Sequence, residues 1–222
     1  MPVTPPPPFS IWVFVGLLAV LLASSAMFWA HVQRWTYNRH WVALGDWANR
    51  NRLRLHRAQR ARVPAPLDEL TLPPPNALVA LAGRRITLLQ MDTPAVVDRA
   101  GGVRPLQRWN VLVREIAVDW PTTALRPAMH ERSLVDLFNL ASLPALLSSD
   151  RFTIHGADSA AARAVVGSMM MALLPPDLGV VLHRRRLIVD FSTRPFDGIE
   201  LSRILSLSDQ IAGHLPALKG RG

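Results

Sequence analysis

His155 and Asp158 are the two side chains in this sequence whose types and spacing best suit proton transfer. They follow the apolar run RFTIH, residues 151–155, which predicts a strand, and precede an alanine-rich run that predicts a helix. Anions bind where a strand leads into a helix N-terminus, and an imidazole beside a carboxylate there can act as a general acid or base. Asp158 is also suited to cap the helix through the exposed amides of its first turn, and this capping role is favoured over the catalytic one.

Signatures of the common enzyme classes are missing from the sequence. It contains no GxxxxGK[ST], GxGxxG, GxSxG or HExxH pattern. Cysteine is absent, which excludes disulfides, thiolate catalysis and thiolate metal sites. The seven histidines are His31, His40, His56, His130, His155, His183 and His214. None of them pairs with another at helical ligand spacing, so no catalytic, cofactor-binding or metal-ligating residue is predicted and no cofactor is expected.

Three consecutive bases, Arg184, Arg185 and Arg186, have the charge to bind phosphate of a lipid or a nucleic acid. A reader of single-stranded nucleic acid also needs aromatic side chains between its bases. The aromatic residues of this chain lie mostly in or beside its apolar N-terminal segment. We therefore predict that the three arginines form a solvated hairpin tip, and nucleic acid is disfavoured as a partner.

Residues 11–30 predict a transmembrane helix, through which the chain contacts the lipid bilayer. Twenty residues at about 1.5 Å each match a hydrocarbon core about 30 Å thick, and Ser24 and Ser25 are the only hydrophilic side chains. A cleaved signal peptide is the alternative, because Ser24, Ser25 and Ala26 offer a small-residue cleavage site. The absence of Lys and Arg before the apolar run, and the length of that run, favour an uncleaved anchor.

The distribution of arginine predicts the orientation of this helix. No Lys or Arg precedes it, whereas Arg34, Arg39, Arg50, Arg52, Arg54, Arg57, Arg60 and Arg62 follow it. Because positive residues remain on the cytoplasmic side, we expect a single-pass protein of the bacterial inner membrane, with an external N-terminus and a cytoplasmic C-terminal domain. Anionic lipid headgroups are predicted to contact Arg34, Arg39, Arg50, Arg52, Arg54 and Arg57. The alternative is that these arginines only set the orientation.

Composition shifts along the chain predict six segments. They are a Pro-rich N-terminal tail at 1–10, the transmembrane helix at 11–30, a basic juxtamembrane helix and connector at 31–62, a Pro-rich connector at 63–82, an α+β domain at 83–216 and a C-terminal tail at 217–222. Apolar spacing predicts that the helix continues from Trp35 to about Asn49. The stretch NRNRLRLHRAQRAR that follows is either a short strand or the end of that helix.

Strand and helix patterns define the α+β domain. Residues 83–92 and 107–118 read as strands that can pair, and apolar residues on both sides of the second predict a sheet covered on part of each face. The C-terminal half reads as strand, helix, hairpin and helix. A buried helix is predicted for residues 161–174, a hairpin for GVVLHRRRLIVDFS, and a last helix that begins with a capping box of Asp197 and Glu200.

Three stretches, HWVALGDWANRNRL, WNVLVREIAVDWPTTALRP and RFTIHGADSAAARAVVGSMMMALLP, resemble uncharacterised bacterial membrane proteins in which N-terminal spans lead into a small α+β domain. That resemblance implies no catalytic residue. The sequence therefore predicts a membrane-anchored cytoplasmic module that binds or scaffolds an unidentified protein partner. A membrane-tethered enzyme and a basic nucleic-acid adaptor at the membrane are the alternatives.

Overall fold

The computed structural model divides the chain into two compact units, Met1–Gly45 and Asp46–Gly222. It describes residues 11–57, 61–67, 75–93, 96–97, 103–104, 107–129, 133–137 and 143–215, so the predicted tails at 1–10 and 217–222 lie outside the described residues. The helices are α1 (Ile11–Arg50), α2 (Leu134–Leu137), α3 (Ser159–Val166), α4 (Met169–Leu173) and α5 (Gly198–His214). The strands are β1 (Arg54–Arg57), β2 (Asn76–Ala82), β3 (Ile86–Thr93), β4 (Val96–Val97), β5 (Val103–Arg104), β6 (Gln107–Pro127), β7 (Ala145–Ser148), β8 (Phe152–Gly156) and β9 (Gly179–Asp190).

The first unit consists of most of α1, a single helix of 40 residues. An 18-residue window of this helix has a mean hydropathy of 2.2, and none of that window is buried. Ser24 and Ser25 each donate a hydrogen bond of 2.8 Å to the carbonyl oxygen four residues earlier. These hydroxyl groups would therefore not need partners from the lipid. Among the described residues, α1 is the one helix long and apolar enough to cross a membrane.

The second unit is built on an antiparallel sheet with the strand order β1-β2-β3-β6-β8-β7, in which β9 also pairs with β6. With 21 residues, β6 is long enough to pair with β3 through its first half and with β8 through its last residues. The predicted pairing of the two central strands is confirmed, because Ile86 lies opposite Arg114 and Thr93 opposite Gln107. This mixture of helices and antiparallel strands is the predicted α+β fold.

Both faces of the sheet are covered, as the apolar residues on both sides of β6 predicted. One face carries a cluster of buried side chains formed by Leu67, Ala80, Leu89, Met91, Trp109, Val111, Val113, Ala124, Leu134, Val135, Val181 and Ile188. On the other face, Arg114 Nη1 donates a hydrogen bond of 2.8 Å to Ser208 Oγ of α5. The buried residues of α5 include Leu201, Ile204 and Ile211.

The predicted C-terminal hairpin is wrong, because Gly179–Asp190 is one strand whose two ends both pair with β6. The favoured type I′ hairpin turn needs a positive φ at both central residues. Of the three consecutive arginines only Arg184 has one, at 50°. Instead, β6 takes up extra residues at register shifts between Glu115 and Trp120 and between Trp120 and Thr123. The arginines therefore lie along a strand and not at a hairpin tip.

The single buried helix predicted for residues 161–174 is also wrong, because α3 and α4 are separate helices. Gly167 and Ser168 lie between them, and both residue types form helices less readily than alanine. Ser168 Oγ also donates a hydrogen bond of 2.6 Å to the carbonyl oxygen of Val165, the kind of local bond that competes with a continuing helix. Met170 is fully buried as predicted, whereas Met169 is 61% exposed.

The N-terminal half of the domain differs from the prediction at one boundary. The connector predicted for residues 63–82 is shorter, because β2 begins at Asn76, directly after the last proline of the run, Pro75. Residues 68–74 of this connector lie outside the described residues. The helix predicted from Trp35 onward is confirmed, since α1 ends at Arg50. Of the two alternatives for the stretch that follows, the structure shows a strand, β1.

Candidate interaction surface and buried polar network

A network of buried polar groups surrounds Asp190, the last residue of β9. Its Oδ2 accepts a hydrogen bond of 2.8 Å from the amide of Leu134, which begins α2. Its Oδ1 accepts bonds of 3.1 and 2.5 Å from the amide and the hydroxyl of Ser192. The amide of Asn110 in β6 donates in turn to Ser192 Oγ at 3.0 Å. Asp190 therefore ties α2 and the loop after β9 to the sheet.

An ion-pair cluster around Arg194 holds the same loop from its other side. Arg194 donates from Nε and Nη2 to the two carboxylate oxygens of Asp177 at 2.6 and 2.7 Å, and from Nη1 to Glu200 Oε1 at 2.6 Å. Arg203 Nη1 reaches Glu200 Oε2 at 3.3 Å. The bonds from Arg194 lower the pKa of Asp177, and the bonds to Asp177 and Glu200 raise the pKa of Arg194. Asp177 and Arg194 therefore stay charged at neutral pH.

This geometry suits structural support and not proton transfer. A general acid working near neutral pH needs a raised pKa, whereas the pKa of Asp177 is lowered by its guanidinium partner. Glu200, predicted as the second half of a capping box, bonds Arg194 instead, so that prediction is wrong. The sequence interpretation also missed Asp190 and Arg194. The signal that could have identified them is the polar run DFSTR between an apolar strand and a helix.

The predicted acid–base candidates make separate contacts. His155 Nδ1 lies 3.3 Å from the carbonyl oxygen of Leu143. Asp158 Oδ1 accepts hydrogen bonds of 2.9 and 3.2 Å from the amides of Ala160 and Ala161, which confirms the favoured capping role. Asp197 caps α5 in the same way, through the amides of Ile199 and Glu200. Within the described ranges, no three His, Asp or Glu side chains converge to hold a metal ion.

The six arginines predicted to contact lipid are all exposed. Arg34 and Arg39 belong to α1, and the Arg39 guanidinium lies 4.1 Å from the ring centroid of Trp35. Counted along the helix at about 1.5 Å per residue, Arg34 lies about 6 Å and Arg39 about 14 Å beyond Ala30, and Arg50 lies about 30 Å beyond it. The headgroup region of a bilayer adds only about 5–8 Å on each side of the hydrocarbon. Helix length therefore places Arg34 and Arg39 much closer than Arg50 to the end of the predicted span.

Five exposed arginines come together where α1 ends and β2 turns into β3. This surface, the basic sheet end, consists of Arg50, Arg52, Arg54, Arg84 and Arg85. Arg54 pairs with Ala82, the last residue of β2. Leu53 packs closely on Gly83, since a Cβ added at Gly83 would lie 2.7 Å from Leu53 Cδ2. The segments 50–54 and 82–85 are therefore neighbours.

Two acids of the described residues lie near the basic sheet end without forming an ion pair with it: Asp46, one helical turn before Arg50 on α1, and Glu115 of β6. Glu115 is close in the sheet, since its amide donates a hydrogen bond of 2.8 Å to the carbonyl oxygen of Arg85. Its carboxylate, however, faces Arg186 at 3.8 Å. Across the part of the chain that the structure describes, none of the five arginines forms an ion pair. The sequence interpretation missed Arg84 and Arg85, because only strand pairing brings them beside Arg54.

Comparisons with known proteins relate this chain to others through its fold. No protein-family model and no curated protein matches the sequence. The structure is similar to the crystal structure of the mycobacterial trehalose monomycolate transport factor A, TtfA, with a TM-score of 0.53. The match covers 80% of this chain and 97% of that chain, at 12% sequence identity. No characterised family is therefore recognised, and the similarity shows a shared fold.

Proposed function

We propose that this chain is a single-pass protein of the bacterial inner membrane, whose cytoplasmic α+β domain binds or scaffolds a protein partner without catalysing a reaction. The observation that carries the proposal is the apolar part of α1, which has the length of a bilayer span, no buried residue in its most apolar window and self-satisfied hydroxyl groups. Residues 11–30 would cross the bilayer, and the domain that begins near Asp46 would remain in the cytoplasm.

Two further observations support a binding role. The buried carboxylates of Asp190 and Glu200 are occupied by backbone amides, a hydroxyl or guanidinium groups of the domain itself. They stabilise the loop between β9 and α5, and such bonds leave them poorly placed to act on a substrate. The name of the structurally similar TtfA describes a transport factor, and assisting transport calls for binding rather than covalent catalysis.

The orientation is tested by a reporter fused after Gly222. Because arginine follows the span at residues 11–30 and no Lys or Arg precedes it, a fluorescent protein that matures only in the cytoplasm should be bright at this junction. Alkaline phosphatase, which folds only outside the cytoplasm, should be inactive there. Fluorescence and phosphatase activity measured in parallel fusions decide the matter. An active phosphatase fusion would contradict both the orientation and the cytoplasmic role.

Anionic lipid headgroups are the proposed contacts of Arg34 and Arg39, the two predicted arginines within reach of the bilayer surface. A base at this depth contributes about 1 kcal/mol with anionic lipid. In bilayers containing the full-length protein, tryptophan should transfer energy more efficiently to dansyl-labelled phosphatidylglycerol than to dansyl-labelled phosphatidylcholine. Replacing both arginines with glutamine should reduce this preference several-fold. Replacing the exposed Arg163 and Arg185 of the domain with glutamine is the charge-matched control. An equal preference in both double variants would exclude the contact.

A further inference from the structure

We infer that the basic sheet end is a docking site for an acidic, extended segment of a partner protein, an inference that rests on the proposed cytoplasmic scaffolding function. The five arginines Arg50, Arg52, Arg54, Arg84 and Arg85 concentrate positive charge on two neighbouring segments and form no ion pair among the described residues. Like charges on neighbouring segments repel one another, and an anionic ligand relieves that repulsion. The sheet end is thus electrostatically complementary to carboxylates.

The neighbouring sheet edge gives such a segment a backbone to pair with. β1 is the end of the strand order, and its one partner strand among the described residues is β2. The amide and carbonyl groups on its outer edge can bind an added strand, as in β-strand addition. Arg54, which is exposed, begins β1. A segment paired there would run past Arg54 toward Arg52 and the Arg84–Arg85 turn, where its carboxylates would meet guanidinium groups.

The position of Arg50 on α1 favours an acidic protein segment over anionic lipid as the ligand of the basic sheet end. Arg50 follows Ala30 by twenty residues of continuous helix, about 30 Å along the axis of α1. A tilt of about 40°, the upper end of the usual range, shortens this separation only to about 23 Å. The potential of an anionic bilayer falls off within a Debye length, about 8 Å at physiological salt. Arg34 and Arg39 are within this reach, and Arg50 is not.

Nucleic acid fits the basic sheet end less well than an acidic peptide. Proteins that bind single strands place aromatic side chains among their bases, so that the nucleobases can stack. The two segments of the basic sheet end, residues 50–54 and 82–85, contain no aromatic residue. The nearest aromatic in the sequence, Trp47, is buried, and its Nε1 donates a hydrogen bond of 2.8 Å to Ser202 Oγ of α5. The surface therefore offers charge and a strand edge, without a stacking platform.

The test uses the full-length protein in nanodiscs of phosphatidylcholine and a fluorescein-labelled decapeptide, EVETEVETEV. Fluorescence anisotropy should show binding that weakens as salt rises, and the matching lysine peptide, KVKTKVKTKV, should not bind. Arg84→Glu should weaken binding of the glutamate peptide at least tenfold. Arg163→Glu, the same charge change at an exposed position on α3, should alter it less than twofold. Because both arginines are exposed, thermal melting of both variants should match that of the parent protein.

Several outcomes would overturn the docking inference. Equal losses in the two variants would show a general charge effect, and binding of both peptides would show a lack of charge selectivity. If nanodiscs with 30% phosphatidylglycerol prevent peptide binding, the site is occupied by lipid. If a ten-nucleotide single strand displaces the peptide at lower concentration and loses affinity in Arg84→Glu, the site is a nucleic-acid site. A cytoplasmic reporter signal combined with any of these results leaves the proposed orientation intact, whereas an active phosphatase fusion contradicts the proposed function itself.

Discussion

Replacing Met170 with aspartate should lower the free energy of unfolding by roughly 4 kcal/mol or more, or prevent folding of the domain. Met170 lies on α4, is 0% exposed, and its helix contacts α5. An aspartate there would place a charged group at a fully buried position, which is costly. The buried thioether would also lose its packing. Chemical unfolding followed by near-UV circular dichroism measures this change.

Met169 is a matched control for this substitution. It is the preceding residue of the same short helix, yet 61% of its side chain is exposed. Met169→Asp should therefore change the free energy of unfolding by only about 0.5 kcal/mol, as is usual for surface substitutions. The difference between the two variants separates burial from helix propensity, because the backbone setting is nearly the same. If Met170→Asp unfolds like Met169→Asp, the packing of α4 against α5 is wrong.

Replacing Arg194 with methionine should cost about 3 kcal/mol of stability, because it leaves two carboxylates without their main partner. Glu200 is only 8% exposed at its side chain, and Asp177 loses both bonds of a bidentate pair. Arg203 provides the control, since it bonds the same Glu200 but is 71% exposed. Arg203→Met should cost less than about 1 kcal/mol. Equal costs in the two variants would show that the buried cluster does not stabilise the loop.

The stability of Arg194→Met should also depend on pH differently from that of Arg203→Met. The pKa of Asp177 is lowered from its ordinary value of 3.8, chiefly by its hydrogen bonds from Arg194. A group whose pKa is depressed in the folded state stabilises the protein above the unfolded pKa, and this stability is lost as pH falls toward the folded pKa. The parent protein and Arg203→Met should thus lose stability below about pH 4. Arg194→Met should show a shallower loss there, because its Asp177 titrates closer to the ordinary value.

Local sequence alone determined the parts of this protein that depend on neighbouring residues. A run of twenty apolar residues specifies a long helix whatever surrounds it, because every backbone group bonds within four residues. Asp158 and Asp197 were predicted correctly as caps, since a carboxylate at an N-cap needs only the amides of the next turn. The two central strands were predicted from the apolar runs at residues 83–92 and 107–118.

Tertiary structure decided the features that join distant segments. The run from Gly179 to Asp190 contains apolar residues on both sides of three arginines. This pattern fits a hairpin and a single strand equally well. It forms a single strand, β9, because both of its ends pair with β6, whose extra residues are accommodated at two register shifts. Glu200 has the spacing of a capping box, but a guanidinium six residues earlier at Arg194 holds it at 2.6 Å. The bond between Arg194 and Glu200 depends on the path of the loop between β9 and α5, which the local sequence does not specify.

The basic sheet end was also predicted only in part from the sequence. Sequence alone identified Arg50, Arg52 and Arg54, because positive charge after an apolar helix is visible along the chain. It did not identify Arg84 and Arg85, which lie inside an ordinary strand pattern and reach the same surface only through the pairing of β1 with β2. Charge along a chain is a local property, whereas a charged surface is made by strands that meet, and that pairing is set by burial of the whole sheet.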